Sequence, residues 1–242
     1  MENYTKTVKI CGMDVSEVRQ RIHDLLAVQD GPSLTFSASP GEVDIEVSFQ
    51  SEQETEAKEK VKEVVRELKV RFGSSIFTTK PKVTLAETIV DLLKEQEMTV
   101  TTVESCTGGL LSARLTDVAG VSEVFKQGFI TYSNKAKRKF VGVKKMTLKK
   151  YTAVSEQAAW EMARGGAAFT GADACISVTG YAGPDGGEDG QPVGLVYIGC
   201  NIKGKIEVEE FHFSGDRRTI RELAATHALT FLRKCILENY QI

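Results

Sequence analysis

From Thr84 onward, β-rich segments alternate with amphipathic helical segments, and this alternation restricts the chain to a layered α/β fold. The capping box Thr84–Glu87 opens the first helix, and a long helix starting near Asp216 closes the pattern. The predicted strands cover 98–104, 124–131 and 174–178, and the predicted helices cover 110–118, 135–140 and 155–169. A final hairpin, 193–202 and 206–213 around Lys203–Gly204, makes the predicted sheet mixed rather than purely parallel.

The first eighty residues form a separate unit with a different pattern. The order β-α-β-β-α-β indicates a small α+β domain of the split βαβ type. Its predicted strands cover 6–11, 33–37, 43–49 and 75–78, and its predicted helices cover 15–28 and 55–70. Residues 79–82 are typical of a short linker, so we expect two domains, 1–80 and 84–242.

The composition argues against several function classes. The 242 residues carry a net charge of −2, which provides no global field to attract nucleic acid or an anionic membrane. There is no leader-like segment and no apolar run long enough to span a bilayer, so we expect a cytoplasmic protein. The five cysteines are scattered and never spaced as C-x-x-C, which argues against a zinc site or a disulfide framework.

The segment Thr101–Leu110 carries the strongest chemical signal. Its pattern predicts a strand, a tight turn and a helix, with Ser105 at the end of the strand. The backbone N–H groups of 106–109 would lie at a helix N-terminus, where they can stabilise an oxyanion or bind an anionic ligand. Ser105 is therefore a candidate nucleophile. The alternative is that Ser105 or Thr107 merely caps the helix.

The thiol of Cys106 competes with Ser105, because a thiol is the better intrinsic nucleophile. In an extended segment, adjacent side chains point to opposite faces, so only one of the two can face the site, and we favour the serine. A serine nucleophile needs a base. The three histidines are poorly placed for that role; they are His23, His212 and His227.

Lys137 is the remaining candidate base. The segment Thr131–Lys137 repeats the layout of strand end, hydroxyl residues and helix start, and Ser133 or Asn134 is the expected cap. In the first helical turn the macrodipole disfavours an ammonium group, and partial burial lowers the pKa further toward a neutral amine. The competing interpretation is a solvated basic face, since other cationic residues surround Lys137.

Two further segments end predicted strands with polar residues. Ser177–Gly187 passes from a strand into a glycine-rich loop that either approaches a ligand closely or forms a mobile hairpin-like loop. After Asp216, the predicted cap of the last helix, Arg217 or Arg218 can reach a phosphate group from the positive end of that helix. Such strand ends surround the ligand crevice of open α/β sheets.

Six motifs in this order resemble one family closely. They are E-S-C-T-G-G (104–109), T-Y-S-N-x-x-K (131–137), A-V-S-E (153–156), T-G-x-A-G-P-D-G-G (179–187), P-V-G-x-V (192–196) and G-D-R (215–217). Together they resemble the CinA C-terminal domain, which also occurs alone as the nicotinamide-nucleotide amidohydrolase PncC. The resemblance spans roughly 84–237, and the first unit is similar to the KH-like domain of longer CinA proteins. The larger domain that precedes it in those proteins, and any pyrophosphatase activity attached to that domain, are expected to be absent.

The resemblance implies deamidation of nicotinamide mononucleotide to nicotinic acid mononucleotide and ammonia, with no metal or other cofactor. It implies that Ser105 is the nucleophile, Lys137 its activator, and Tyr132 and Thr179 the hydroxyl donors of a proton relay or of substrate binding. The implied substrate-binding residues are Cys106, Thr107, Gly108, Gly109, Asn134, Gly180, Gly183 and Arg217. The chain departs from the family at Thr179, where serine is common, and Tyr181, Glu188 and Asp189 are expected to influence loop closure or substrate preference.

Two other functions remain open from the sequence. The pocket could bind a nucleotide without turnover and act as a sensor for a partner. The KH-like unit could bind RNA, although it contains no G-x-x-G and its acidic residues outnumber its basic residues. The resemblance also implies that the protein forms a homo-oligomer, a dimer or higher, and that it has no membrane partner.

Overall fold

The computed structural model describes residues 2–187 and 190–241. Its contacts divide the chain into two compact units, Met1–Thr88 and Ile89–Ile242. None of the helices in the described residues combines the length and the apolar character needed to cross a bilayer.

The first unit contains one antiparallel sheet in the order β2-β3-β1-β4. Its elements are β1 Glu2–Cys11, α1 Val15–Arg21, α2 His23–Leu26, β2 Ser33–Ser39, β3 Glu42–Ser51, α3 Glu54–Phe72 and β4 Ile76–Thr78. Alternate apolar side chains of β1 and β3, such as Val8 and Ile45, pack with Val61 and Leu68 of α3 in one core. The predicted split βαβ fold is confirmed.

The prediction of one continuous helix over 15–28 was wrong. The backbone of Ile22, with φ −124° and ψ 20°, ends α1 and separates it from the short α2. Ile22 is fully buried in the core of this unit, so tertiary packing overrides the helical periodicity of the segment.

The second unit contains a five-stranded mixed sheet in the order β6-β5-β7-β8-β9. Its elements are α4 Leu85–Glu95, β5 Val100–Glu104, α5 Leu110–Thr116, β6 Phe125–Ile130, α6 Asn134–Val141, α7 Lys145–Tyr151, α8 Glu156–Thr170, β7 Ala174–Gly180, β8 Leu195–Ile202, β9 Lys205–His212 and α9 Arg217–Tyr240. β5 pairs in parallel with β6 and β7, whereas β7, β8 and β9 are antiparallel. The mixed sheet is confirmed. α7 was not predicted from the sequence; it has seven residues and no side-chain N-cap.

Helices cover both faces of this sheet. A Cβ on Gly199 of β8 would lie 2.8 Å from the carbonyl oxygen of Ala159 in α8. The next residue, Cys200, interacts with Cys235 of α9. Because successive strand residues point to opposite faces, α8 and α9 lie on opposite sides of the sheet. The predicted layered α/β/α architecture is confirmed.

Candidate active site

A cavity of about 250 Å³ lies beyond the carboxyl ends of the parallel strands of the second unit. Its lining comes from the segments that follow β5, β6 and β7, from the segment before α8, and from the start of α9. The lining residues are Ser105, Cys106, Tyr132, Lys137, Ala153, Val154, Thr179, Gly180, Tyr181, Ala182, Gly183, Asp185 and Arg217. This is the position in which open α/β sheets bind their ligands.

Ser105 and Lys137 meet at the base of this cavity. The Nζ atom of Lys137 lies 2.7 Å from Oγ of Ser105 and donates a hydrogen bond of 2.9 Å to the carbonyl oxygen of Thr131. Lys137 is only 1% exposed, although Lys135, Arg138 and Lys139 of the same helix are exposed. The interpretation of Lys137 as part of a solvated basic face was therefore wrong.

Burial determines the protonation of both groups beside Ser105. It lowers the pKa of Lys137 to about 8, an effect that the nearby Cys106 partly opposes. It raises the pKa of the Cys106 thiol to about 12, so the thiol stays protonated near neutral pH. A neutral amine next to a serine hydroxyl can accept its proton, whereas the neighbouring sulfur is held in its weakly nucleophilic form.

Both Ser105 and Cys106 line the cavity, which corrects the expectation that only one of them would face it. That expectation assumed an extended backbone. β5 ends at Glu104, and the chain enters a turn at Ser105, so the alternation of strand side chains no longer applies. The hydroxyl is the group that contacts Lys137.

The carboxylate of Glu104 organises the turn from Ser105 to Gly109, which we call the nucleophile turn. Glu104 is fully buried and accepts hydrogen bonds from the N–H groups of Gly109, Leu111 and Ser112 and from the Ser112 hydroxyl. Gly109 precedes α5 with φ 99°, and in the described structure no side chain at the N-cap position bonds this helix. Glu104 therefore satisfies the N–H groups at the start of α5 that a capping side chain would otherwise accept. The interpretation of Ser105 or Thr107 as the cap was wrong.

Two N–H groups of the nucleophile turn are left for a ligand. The N–H of Gly108 donates to the carbonyl oxygen of Ser105 at 3.1 Å, and the N–H of Gly109 is bound by Glu104. Within the described residues, no backbone carbonyl oxygen accepts from the N–H groups of Cys106 and Thr107, and the acceptor that they share is the weakly accepting sulfur of Cys106. They are the candidate oxyanion donors, a narrower set than the four positions expected from the sequence.

Arg217 connects three segments at the opening of the cavity. Its guanidinium donates to the hydroxyl of Tyr132 at 2.9 Å and to the carbonyl oxygen of Gly183. Tyr132 is exposed, and its hydroxyl contacts Arg217 rather than Ser105 or Lys137. Asp216 caps α9 by accepting from the N–H of Thr219 at 2.7 Å, as predicted, and so fixes the start of the helix that carries Arg217.

Thr179 lies at the end of β7, in the cavity wall. Its hydroxyl donates to the carbonyl oxygen of Ala153 at 2.7 Å and so joins the strand end to the segment before α8. Gly180, the next residue, is required sterically, because a Cβ there would lie 2.8 Å from the carbonyl oxygen of Leu195. In this structure Thr179 positions the wall and makes no hydrogen bond to Ser105 or Lys137.

Not every residue expected at the site lines the cavity. The lining includes Ser105, Cys106, Tyr132, Lys137, Thr179, Gly180, Gly183 and Arg217. Thr107, Gly108 and Gly109 lie in the nucleophile turn behind the lining, and Asn134 is an exposed residue of α6. Ser133, rather than Asn134, caps α6 by accepting from the N–H of Ala136. Glu188 and Asp189 lie outside the described residues.

Three functional candidates were missed by the sequence analysis. Asp185 lines the cavity, Glu104 holds the nucleophile turn, and Arg221 of α9 binds the carbonyl oxygens of Cys106 and Thr107. Arg221 follows Arg217 by four residues, so both lie on one face of α9, and this spacing is the signal that could have identified it. In the described part of the chain, no three His, Cys, Asp or Glu side chains are grouped to hold a metal ion.

Comparisons with protein families match both parts of the chain. The model of the CinA C-terminal domain matches residues 82–236, and the model of the damage-inducible protein CinA KH domain matches residues 5–78. A protein from Clostridium novyi (strain NT), named as a competence-damage inducible protein, is 43% identical over 236 residues. A CinA-like protein from Kosmotoga olearia is 40% identical over 234 residues. The chain covers 57% of the length of each of these relatives, and the matches cover 98% and 97% of the chain.

Solved structures match about two thirds of the chain. A CinA superfamily protein from Klebsiella pneumoniae 700603 is 37% identical with a TM-score of 0.63, and the match covers 64% of this chain and 96% of that protein. A competence/damage inducible protein from Agrobacterium tumefaciens is 39% identical with a TM-score of 0.60, and the match covers 63% and 93%. Each match covers almost the whole of the solved protein.

Proposed function

Because the chain belongs to the CinA family, through a CinA C-terminal domain and a CinA KH domain, we propose that it is a serine amidohydrolase. Its proposed reaction is the deamidation of nicotinamide mononucleotide to nicotinic acid mononucleotide and ammonia. The observation that carries this proposal is the 2.7 Å contact between Ser105 Oγ and the buried amine of Lys137 at the base of a cavity.

The first half of the proposed reaction acylates Ser105. The neutral amine of Lys137 accepts the hydroxyl proton while Oγ attacks the carboxamide carbon, which forms a tetrahedral oxyanion. The N–H groups of Cys106 and Thr107, which no backbone oxygen accepts, stabilise the negative oxygen. The protonated Lys137 then donates its proton to the amide nitrogen, the C–N bond breaks and ammonia leaves.

The second half restores the enzyme. Lys137, now neutral again, accepts a proton from water, and the hydroxide attacks the ester carbon of the acyl-enzyme. The second tetrahedral intermediate breaks its bond to Oγ, which recovers the proton from Lys137, and the free carboxylic acid leaves. The hydrogen bond from Nζ to the carbonyl oxygen of Thr131 holds the amine in place through both halves.

The charges in the cavity wall suit a substrate with two opposite charges. Nicotinamide mononucleotide carries a cationic pyridinium ring and an anionic phosphate. In the described wall, Asp185 supplies a carboxylate and Arg217 a guanidinium. We propose that Arg217 binds the phosphate, since its planar donors match phosphate oxygens. The present hydrogen bonds of Arg217 to Tyr132 and Gly183 would be exchanged on binding.

The test compares ammonia release from nicotinamide mononucleotide, nicotinamide riboside and nicotinamide. We expect the mononucleotide to be the best substrate, and we expect Arg217→Met to raise its KM by about 10- to 100-fold, the loss of one charged hydrogen-bonded contact. Turnover of the riboside, which has no phosphate, should change little. Arg138→Met is the matched control, because this arginine is exposed on α6 and does not line the cavity.

Two results would contradict the proposal in different ways. If well-folded wild-type protein binds the mononucleotide in calorimetry but releases no ammonia, the chain is a nucleotide sensor rather than an amidohydrolase. If it neither binds nor hydrolyses the mononucleotide, the cavity serves another substrate.

A further inference from the structure

We propose that Arg221 is a positioning residue of the active site: it orients and polarises the peptide N–H of Thr107, so that this group and the N–H of Cys106 form a ready oxyanion-binding pair beside Ser105. Arg221 lies in α9, more than a hundred residues after the nucleophile turn. The inference rests on the proposed function, because it assigns Arg221 a role in stabilising the tetrahedral intermediate of that reaction.

Arg221 binds the backbone of the nucleophile turn rather than any side chain. Its Nε donates to the carbonyl oxygen of Cys106 at 3.1 Å, and its Nη2 donates to the carbonyl oxygen of Thr107 at 2.7 Å. Two donors of one planar group therefore hold two consecutive peptide groups. A fork of this kind fixes direction as well as distance.

The peptide bond transmits this constraint to the oxyanion donors. In a trans peptide, the C=O and N–H groups are coplanar and point in opposite directions. The carbonyl of Cys106 shares its peptide group with the N–H of Thr107, so Arg221 fixes where that N–H points. A cation at the carbonyl oxygen also draws electron density from the amide and makes its N–H a stronger donor.

The N–H of Cys106 is fixed in a similar way from within the turn. It shares a peptide group with the carbonyl of Ser105, and this oxygen accepts the N–H of Gly108 at 3.1 Å. The N–H groups of Cys106 and Thr107, which no backbone oxygen accepts, thus belong to peptides whose carbonyl oxygens are already bound. Glu104 holds the N–H groups of Gly109, Leu111 and Ser112, which follow in the chain.

The charge of Arg221 is available for this role. In the structure described, no carboxylate lies within ion-pair distance of its guanidinium. The adjacent Glu222 is engaged with Arg114 of α5. Arg221 is half-buried, and its hydrogen-bond partners among residues 2–187 and 190–241 are the two carbonyl oxygens, so its positive charge acts on the nucleophile turn.

The experiment measures two rates for the wild type, Arg221→Met, Arg221→Lys and the control Arg138→Met. The first is the turnover of nicotinamide mononucleotide, as kcat, KM and their pH dependence. The second is the rate at which a fluorophosphonate probe labels Ser105, followed by intact mass. The second reaction forms a negatively charged oxygen in the same place but needs no natural substrate.

Loss of one oxyanion donor typically costs about 100- to 1000-fold in kcat, so an indirect effect through its peptide group should cost about 10- to 100-fold. We expect Arg221→Met to lower kcat and the labelling rate by this factor. KM should stay within about threefold, and the pH at which the rate rises should not move, because Lys137 is untouched. For Arg221→Lys, kcat and the labelling rate should lie between those of the wild type and of Arg221→Met, since an ammonium group keeps the charge but not the pair of planar donors.

A purely structural role would appear as a higher KM and a lower melting temperature with kcat preserved, and would overturn the inference. Rates within about twofold of wild type for both Arg221 variants would also overturn it. If Arg221→Met does not fold, the lysine variant decides by the same two rates. If the wild type hydrolyses no mononucleotide, the proposed function fails, but the labelling rate still tests the role of Arg221. Slower labelling of the Arg221 variants than of the wild type supports that role. Equal labelling rates, or no labelling, overturn it.

Discussion

The burial of Lys137 beside Ser105 lowers the stability of the fold and favours the reactive form of the amine. Lys137 is 1% exposed, and its only hydrogen-bonding neighbours in the described structure are the Ser105 hydroxyl and the Thr131 carbonyl oxygen. Neither neutralises an ammonium ion, so burial lowers the pKa to about 8. This environment increases the fraction of neutral amine near neutral pH, and the proposed mechanism requires that form.

The pH dependence of turnover follows from this pKa. The proposed base is active when it is neutral, so kcat/KM for nicotinamide mononucleotide should rise with pH and level off above a pKa of about 8. A pH-rate profile of wild-type protein measures this. A profile that is flat from pH 6 to 9, at constant fold, would contradict the assignment of Lys137 as the base.

The same pKa predicts a stability penalty. The folded-state pKa lies below the ordinary value of 10.5, so the unfolded chain binds the proton more tightly and stability rises with pH between about 8 and 10.5. Below that window the full penalty applies, about 3 kcal/mol by the size of the shift. Lys137→Met should therefore be about 1 to 3 kcal/mol more stable than wild type at pH 7, while being inactive.

Urea unfolding at pH 7 and pH 10 measures this difference. The advantage of Lys137→Met should shrink at pH 10, where wild-type Lys137 is neutral in the folded protein. A variant that is less stable at both pH values would show that the contacts of Lys137 stabilise the fold more than its burial costs.

Residues whose side chains are proposed to contact the substrate could be predicted from the sequence. Residues whose side chains hold the backbone of the nucleophile turn could not. Ser105, Lys137 and Arg217 occupy strand ends and helix starts, positions with a recognisable pattern. Glu104 and Arg221 bind N–H groups and carbonyl oxygens, and a backbone atom leaves no mark of its own in the sequence. Their contacts required coordinates.

At the scale of elements, the nucleophile turn depends on a buried charge in place of a helix cap. Glu104 accepts four hydrogen bonds at the start of α5, where the macrodipole also favours an anion. This explains how a helix can begin at Leu110 after two glycines with positive φ, Gly108 and Gly109. Glu104 therefore joins the end of the turn, at Gly109, to the first residues of α5, Leu111 and Ser112, through one shared acceptor.

Glu104→Gln tests this account of the turn. Glutamine has the same shape, but its amide group would present N–H donors to backbone N–H groups, so we expect a loss of about 2 to 4 kcal/mol in the free energy of unfolding. Glu95→Gln, at an exposed position of α4, is the control and should change stability by less than about 0.5 kcal/mol. Equal stability of the two variants would contradict the capping role of Glu104.

Most elements were predictable because their apolar periodicity agrees with their tertiary environment. The exceptions have physical causes. α7 is a seven-residue helix with four lysine or aromatic-hydroxyl side chains, and so shows little apolar stripe. The segment 15–28 has a helical period, but the burial of Ile22 divides it. Sequence periodicity does not predict the backbone conformation of a segment where tertiary packing determines it.

At the scale of the whole molecule, the residues of the proposed active site all lie in one unit. Ser105, Lys137, Arg217 and Arg221 belong to Ile89–Ile242. The CinA C-terminal domain model matches residues 82–236, which include all four of these residues. The layered fold and the order of its strand ends therefore assemble the site within a single domain, as the alternating pattern of the sequence predicts.

A fragment of residues 82–242 should fold and retain kcat for the mononucleotide within about twofold of the full chain. A fragment of residues 89–242 is the comparison. It lacks the capping box and the first turn of α4, including the buried Leu85, and should be about 2 to 4 kcal/mol less stable. Circular dichroism and ammonia release measure both fragments. An inactive but folded 82–242 fragment would show that the first unit takes part in catalysis.

The central claim is that Ser105 is the nucleophile, and ammonia release by Ser105→Ala beside Cys106→Ala tests it most directly. Each variant removes one reactive atom, and both keep the backbone N–H groups of the turn. We predict that Ser105→Ala loses about 10⁴-fold or more in kcat, as nucleophile removal does in serine hydrolases, whereas Cys106→Ala loses at most about tenfold. Near-normal ammonia release by Ser105→Ala, or its loss in Cys106→Ala alone, would contradict the account.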